Sequence, residues 1–475
     1  VSQPSPANAA PAPRSAAART RIVVLGGGFG GVFTVRHLEK LLGRHPNVEV
    51  VLVSRDNYFL MTPLLFEVCS GTLEMRHCSA PIRAFLRTTR FVEATVGHID
   101  LDRRVVHATA GDETGYELAY DHLVLALGAL TNRQMIPGSE AAFTFKTLAD
   151  ATVLRNYLIE RFERADVETD PDRKRRLLTV IIIGGGLVGV ELLGELTAFV
   201  DEIVRLYHNV KRDEVRFLML QGGDRLMPEI DPPLAEYGTR VLAGRRGVDI
   251  RTGAFVQAME PGKVHLKGGE TIEAATIVLA AGILPSPVVA ALPVDKDRHG
   301  HIVVEGTMRC KGRPELWALG DCASIPGPDG KPYPTLAQHA LREAKVLARN
   351  LYGVLHDRPP EPFVFDTLGM MASLGHSKGL AQLMKLRVRG FLAWVVRRNY
   401  YLMTMPGWRR RLRIMIDWAV ALVFRPDIVK MDLAREVGMA LRTGAAGTDP
   451  ADRLAAIGGA ATGEGAPAPA VEERV

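Results

Sequence analysis

The sequence predicts an α/β protein with two units of parallel sheet wrapped by helices, one nested in the other, and then an amphipathic helical region. Two observations predict the nested pair. A β-branched run enters a glycine-rich turn at 21–25 (RIVVL), and another does so at 178–183 (LTVIII). Continuous apolar runs before such turns mark buried parallel strands. The third observation concerns charge. Residues 385–413 hold nine Lys and Arg and no acid, while the whole chain nets +6, so the remainder nets −3. Such a local field points to an anionic surface as partner.

The first turn is Gly26-Gly27-Gly28-Phe29-Gly30-Gly31, followed by a helical stretch to about Leu42 and a strand at 48–53 (VEVVLV). The second is Gly184-Gly185-Gly186-Leu187-Val188-Gly189, with a helix through Leu196 and a strand at 215–220 (VRFLML). In GxGxxG the glycines allow a tight turn and close approach to a pyrophosphate, and the helix N-terminus offers unpaired N–H groups to it. One copy is weak. Two copies, 158 residues apart and each set between strand and helix, argue for two dinucleotides on one chain, in Rossmann-like units.

Other segments fit this plan. The strand ending Leu319-Gly320-Asp321 brings a carboxylate to a point where sugar hydroxyls can donate to it. Runs 123–128 (LVLALG) and 277–282 (IVLAAG) end on Gly128 and Gly282 and read as crossover strands between the two units. Residues 165–176 (ADVETDPDRKRR) read as a charged linker. A helix is expected at 335–351 with Thr335 as N-cap. Its apolar stripe leaves Gln338, Arg342, Lys345 and Arg349 on another face. The expected domains are therefore 21–150 with 300–360, 151–299, and a C-terminal region 361–435. Tails at 1–20 and 436–475 are Ala/Gly/Pro-rich and expected to be disordered.

Composition narrows the class. Hydrophobic residues are 47% and charged residues 24%, an ordinary globular balance. The first twenty residues lack the apolar core of a secretory signal. No 18-residue apolar run is free of charge, so a spanning helix is not expected. The four cysteines, Cys69/Cys78 and Cys310/Cys322, lack the CxxC spacing of a redox dithiol or zinc site, and no metal is expected.

Several stretches together carry a resemblance: IVVLGGGFGGV at 22–32, NYFLMTPLLFEVCSG at 57–71, IIIGGGLVGVELLGEL at 181–196, LWALGDCA at 316–323 and TLAQHA at 335–340. Over about 21–430 the chain resembles type II NADH:quinone oxidoreductases, the non-pumping alternative NADH dehydrogenases of the glutathione-reductase-like superfamily. The resemblance implies FAD in the first unit, contacted by Gly26, Gly28, Phe29, Gly30, Gly31, Ser54, Arg55, Gly128 and Asp321, with Pro63 and Leu64 near the isoalloxazine. It implies NADH at Gly184, Gly186, Gly189, Gln221 and Gly282, and hydride transfer to flavin N5. Gln338 would stand between flavin and a membrane quinone, with Arg342 beside the quinone, and Glu191 would lie near the nicotinamide in a proton relay. The bland alternatives are a solvated Gln338 and a Glu191 that offsets the helix dipole.

Three positions depart from the family pattern. Ser54 replaces the acid expected to hold the FAD ribose, with Arg55 or Asp56 to share the task. Gln221 replaces the acid that repels a 2′-phosphate, which admits NADPH, with help expected from Arg225. Arg342 replaces a second glutamine.

In the basic region, Trp408, Leu412, Met415, Ala419 and Leu422 recur on one helical face. The expected role of 378–424 is to lie on anionic lipid at the cytoplasmic face of the inner membrane. Core packing or a homodimer interface is the alternative use of that face, and nucleic acid is not an expected partner. The rival functions are sulfide:quinone oxidoreduction, which needs a reactive cysteine pair, and an NADH-binding signalling flavoprotein resembling apoptosis-inducing factor.

Overall fold

A computed structural model describes residues 19–111, 114–384 and 386–430. The C-terminal tail at 436–475 lies outside the described residues, as does the N-terminal one except for Arg19 and Thr20, and Thr20 already opens the first strand. In chain order the elements that position the site are β1 (Thr20–Leu25), α1 (Phe29–Leu42), β2 (Val48–Ser54), α2 (Leu65–Cys69), β3 (Arg90–Glu93), β4 (His122–Leu125) and α3 (Leu148–Val167). Then come β5 (Thr179–Ile183), α4 (Leu187–Ile203), β6 (Arg216–Gln221), β7 (Val248–Thr252) and β8 (Thr276–Leu279). The chain continues through β9 (Arg309–Cys310), β10 (Arg313–Ala318), α5 (Ala337–Val354), β11 (Gly369–Gly375), β12 (Lys378–Leu383), β13 (Leu386–Gly390), α6 (Phe391–Thr404) and α7 (Trp408–Val423).

Two sheets carry the nucleotide turns. The first has the order β9-β10-β4-β1-β2-β3 and is parallel except for β9. The second, β7-β6-β5-β8, is parallel throughout. Every residue of β5 is buried, as a central strand covered on both faces requires.

Four local expectations need correction. The run at 123–128 is not a crossover: β4 lies inside the first sheet, between β1 and β10. The run at 277–282 likewise supplies β8, paired with β5. The link between the sheets comes just afterwards, where Ala129–Thr131 pairs antiparallel with Ile283–Pro285. Residues 165–176 are not a loop, since α3 runs to Val167 and a further short helix, Pro171–Leu177, starts behind Asp170, whose carboxylate accepts from Asp172 and Arg173 N–H. Charge made the segment look like a linker, but here it decorates exposed helix. Finally, α5 begins two residues later than expected, with Leu336 rather than Thr335 at its N-cap and no capping side chain.

The C-terminal sheet β11-β12-β13 packs on α4. A Cβ on Gly194 would overlap the Leu374 backbone, and one on Gly375 would overlap the Gly194 carbonyl. Helix and strand backbones therefore touch there, which explains a glycine inside an otherwise leucine-rich helix. Arg245 stitches the contact by donating to both the Gly194 and Leu374 carbonyls.

Candidate functional site

Both turns have the same backbone. Gly26 has φ +111° and Gly184 φ +110°, values that L side chains rarely adopt. A Cβ on Gly31 would overlap the Gly26 carbonyl oxygen, and one on Gly189 would overlap that of Gly184. Each final glycine thus lets its helix rise directly off the strand end. Gly28 is exposed, with nothing within 4 Å of the position a Cβ would take, and no side chain caps the first N–H groups of α1. That open cradle fits the diphosphate of FAD.

Ser54, buried at the end of β2, sets its hydroxyl against Gly27. Arg55 and Asp56 form their own exposed pair at 3.3 Å. Phe29 meets Phe59 edge-on, centroids 5.0 Å apart. Gly128 and Gly320 have φ +64° and +69°, which turns the chain sharply at the ends of β4 and β10. Asp321 follows, and two partners the sequence did not reveal stand beside it. Lys146 Nζ lies 3.6 Å from its carboxylate. Glu343, on α5, accepts the Gly320 N–H at 2.8 Å. Burial pushes the Glu343 carboxyl up to about 7, against the pull of that hydrogen bond. Its job is to fix the backbone that presents Asp321.

At the second turn Gln221 Oε1 accepts the Gly185 N–H at 2.8 Å. The help expected from Arg225 is not there, because its two Nη groups donate to the Ile230 and Pro228 carbonyls. A residue not foreseen is Glu229, whose Oε1 is 3.6 Å from the Cβ position of Gly186. Gly282, at φ +69°, lies against Met135.

The acceptor side gathers residues far apart in sequence. Gln338 Nε2 donates to the Gly369 carbonyl at 2.7 Å, tying α5 to the start of β11. Arg342 donates back to the Gln338 carbonyl at 2.9 Å and lies over the Phe365 ring at 4.5 Å. Leu64 is fully buried, so of the expected flavin neighbours only Pro63 keeps accessible side-chain surface. The Pro63 carbonyl accepts from Arg397 Nη2 at 2.6 Å.

Arg397 belongs to a buried ionic cluster whose acids lie far away in sequence. Its Nε is 2.8 Å from Glu191, and its Nη1 is 3.4 Å from Glu67. Arg398 Nη2, at 3.3 Å, and Trp418 Nε1, at 2.6 Å, donate to the other Glu67 oxygen. The backbone N–H of Ser373 donates to Glu191, while the hydroxyls of Ser373 and Ser70 donate to Glu195. Glu191 lies in the second turn of α4, not the first, so the dipole account of it does not hold. Burial pushes Glu191 up to about 7, with Arg397 opposing, and burial raises Glu195 as well. Burial also works against the Arg397 charge, but Glu191 and the nearby acids more than offset it and keep the guanidinium protonated. Removing one member of such a pair costs about 3–5 kcal/mol, because the other is left buried and unpaired. The cluster therefore clamps α6 and α7 to the segment that carries Pro63.

All four cysteines are buried, and burial pushes each thiol up to about 12. A thiolate nucleophile is not present at neutral pH. On α7 the stripe of Trp408, Leu412, Met415, Ala419 and Leu422 faces outward, while Ile414 and Trp418 are the buried positions. Core packing is thus excluded for that stripe. Among the described residues no helix is long and apolar enough to cross a membrane.

Comparison with known proteins gives consistent results. Residues 20–344 match the family model for pyridine nucleotide-disulphide oxidoreductases. A probable NADH dehydrogenase of Dictyostelium discoideum is 30% identical over 417 residues, covering 86% of this chain and 90% of that protein. The mitochondrial internal alternative NAD(P)H-ubiquinone oxidoreductase A1 of Arabidopsis thaliana is 32% identical, covering 88% of this chain and 87% of its own length. The solved structure of NDH2 from Plasmodium falciparum in complex with NADH superposes with a TM-score of 0.80 at 20% identity, over 87% of this chain and all of that one.

Proposed function

The chain belongs to the pyridine nucleotide-disulphide oxidoreductases, on the branch of the alternative, type II NADH dehydrogenases, and from that premise we propose that it is an FAD-dependent NAD(P)H:quinone oxidoreductase that pumps no protons. The observation that carries this reading is the repeated glycine turn, one backbone geometry after a central parallel strand in each of two sheets. FAD, when bound, supplies a carrier that takes two electrons from a nicotinamide and yields them to a quinone.

The protein's own groups do the rest. The α1 N-terminus binds the FAD diphosphate, and Asp321, steadied by Lys146 and Glu343, accepts from sugar hydroxyls. The α4 N-terminus takes the nicotinamide nucleotide, and the neutral Gln221 leaves a 2′-phosphate unopposed, so NADPH is accepted beside NADH. Gln338 orients the acceptor, and Arg342 sets a positive charge one turn away, where an anionic reduced acceptor gains from it. Glu191 Oε1 accepts from the Ser373 N–H and lies 2.8 Å from Arg397 Nε, and burial raises this carboxyl to about 7, so it is a group that can take up or release a proton near neutral pH. The outward stripe of α7, with Arg409 and Arg413, rests on anionic lipid of the inner membrane's cytoplasmic face, where a lipid-soluble quinone is found.

Sulfide oxidation is the weaker reading, because it needs a reactive thiol pair and all four thiols are buried and protonated. The signalling reading is met by rate. Anaerobic stopped-flow tests all three. NADH should bleach the yellow protein, and a short-chain quinone should restore its colour with turnover above about 10 s⁻¹. Protein that stays colourless after incubation with FAD, or reduced protein that ignores the quinone, overturns the proposal.

A further inference from the structure

The outer face of the first nucleotide unit carries charge that the nucleotide seat does not use. There α1 and α5 pack side by side. On α1, Phe33, Arg36, His37 and Lys40 share one stripe, and on α5 Gln338, Arg342, Lys345 and Arg349 share another. Lys40, Lys345 and Arg349 are exposed, while Arg36 and His37 are half-buried. The two stripes meet at His37. Burial pushes its pKa down to about 4, and Lys40, Lys345, Arg36 and Arg349 push the same way.

This positive field has no internal answer. Among the described residues none of those four cations is paired with a carboxylate. The Arg36 guanidinium lies instead 5.2 Å from the Phe33 ring centre and 5.7 Å from that of Phe85. Each helix holds one acid, and backbone N–H groups occupy both. Glu39 accepts those of Arg87, Thr88 and Thr89, and Glu343 accepts that of Gly320. Arg36 with Lys40, and Lys345 with Arg349, are like charges four residues apart, a spacing that weakens a helix. An anion outside the protein would relieve both pairs.

The border of the patch selects that anion. Burial works against the Arg36 charge, Glu39 supports it, and Arg411 of α7 opposes it, so the start of α7 lies beside α1. Arg411 also donates to the Met405 and Met403 carbonyls at 2.9 and 2.7 Å. Met403 and Trp408 are 60% and 69% exposed at this edge. A free phosphate or a nucleic acid would satisfy the cations and leave these apolar side chains in water. A bilayer satisfies both, with headgroup phosphates for the one and acyl chains for the other.

We propose that the α1/α5 face is a second lipid contact, at which Lys40, Lys345 and Arg349 bind the phosphates of anionic phospholipid headgroups. Contact there lays α5 along the bilayer surface, with the stripe that begins at Gln338 on the same side. The inference rests on the lipid-facing reading of α7, and the experiment separates the two.

The flavin-loaded full chain is sedimented with phosphatidylcholine vesicles, with and without phosphatidylglycerol. Lys40→Gln/Lys345→Gln/Arg349→Gln should weaken partitioning onto the anionic vesicles about a hundredfold, about fivefold for each basic residue. Its flavin content and its KM for NADH with a short-chain quinone should stay unchanged. A comparison variant, Arg246→Gln/Lys263→Gln/Lys267→Gln, removes the same charge from exposed positions in the second unit and should bind as the wild type does. Equal loss in both variants, or no loss in the first, overturns the inference and leaves the α7 reading standing. Wild-type protein that ignores anionic vesicles overturns both. Binding that inorganic phosphate displaces at constant ionic strength, or tighter binding of single-stranded DNA than of vesicles, also overturns it. A direct check keeps every cation in place. All four native thiols are buried, so a fluorophore attached to Leu41→Cys, an exposed position of α1, reports on this face alone. On vesicle binding, a nitroxide on the lipid headgroup must quench it more than one deep in the acyl chain, and any other order refutes the contact.

Discussion

The two glycine turns share a backbone and differ in what their helices do next. After the first, α1 packs against α5, and the buried acid nearby, Glu343, is bonded to the Gly320 backbone N–H. After the second, α4 packs against β11 and carries Glu191 and Glu195 into a cluster with arginines from α6. The same phosphate-binding device thus serves a nucleotide seat on one side and the junction with the C-terminal helices on the other. The turn fixes where a nucleotide lies, and the helix behind it decides what else that position controls.

The hardest test of this comparison breaks each turn separately. In both Gly31→Ala and Gly189→Ala the new methyl meets a backbone carbonyl that has nowhere to go. Gly31→Ala is expected to purify without its yellow colour, with FAD affinity down about a thousandfold, about 4 kcal/mol. Gly189→Ala should stay yellow and lose a similar factor in kcat/KM for NADH. If the two variants exchange these outcomes, the assignment of the two nucleotides is reversed.

A second test sets the lone buried acid against the paired one. Glu343 titrates near 7 in the folded protein, above its ordinary 4.5. The folded state therefore binds the proton more tightly, so this stabilisation is complete below about pH 4.5 and is lost as pH rises through 7. The loss is about 3 kcal/mol. Glu343→Gln keeps an acceptor for the Gly320 N–H and cannot ionise. It should raise stability at pH 8 and flatten the fall between pH 5 and 8 seen in denaturant melts. Glu191 is also raised to about 7, yet Glu191→Gln should lower stability at pH 8, by about 3 kcal/mol, because Arg397 loses a partner. Shifts of the same sign in both variants would mean that pairing with Arg397 does not distinguish the two acids.

What the sequence made legible follows the same divide. Glycine turns are local, since six consecutive residues state the geometry, and both were found where the structure has them. Sheet order is not local. The run ending at Gly128 reads equally well as a crossover or as an inner strand, and only pairing with β1 and β10 decides. The clamp on Pro63 is further from view, because Glu67 and Arg397 are 330 residues apart. Nine basic residues in one segment read as a single field toward an anionic partner surface, yet Arg397 is 1% exposed and Arg398 9%. A pair of adjacent arginines between Trp394 and Tyr401 was the one available hint, since guanidiniums with aromatic neighbours tolerate burial better than lysines do.

The finest distinction between the turns lies at the strand ends, where Ser54 and Gln221 stand in place of acids. Gln221 is the more testable, because its Oε1 already accepts the Gly185 N–H, and a glutamate oxygen accepts the same bond without moving the turn. Gln221→Glu should therefore leave the fold and flavin content intact while adding charge against a 2′-phosphate. The unaltered protein is expected to prefer NADH by less than about a thousandfold in kcat/KM. The variant should widen that preference about tenfold, about 1.4 kcal/mol. The step is small for a physical reason. Arg225 is occupied by the Pro228 and Ile230 carbonyls, so the wild-type site lacks repulsion but gains no attraction for the phosphate, and only the repulsive half of the discrimination is restored. An unchanged NADPH-to-NADH ratio would mean that Gln221 braces the turn without facing the ribose.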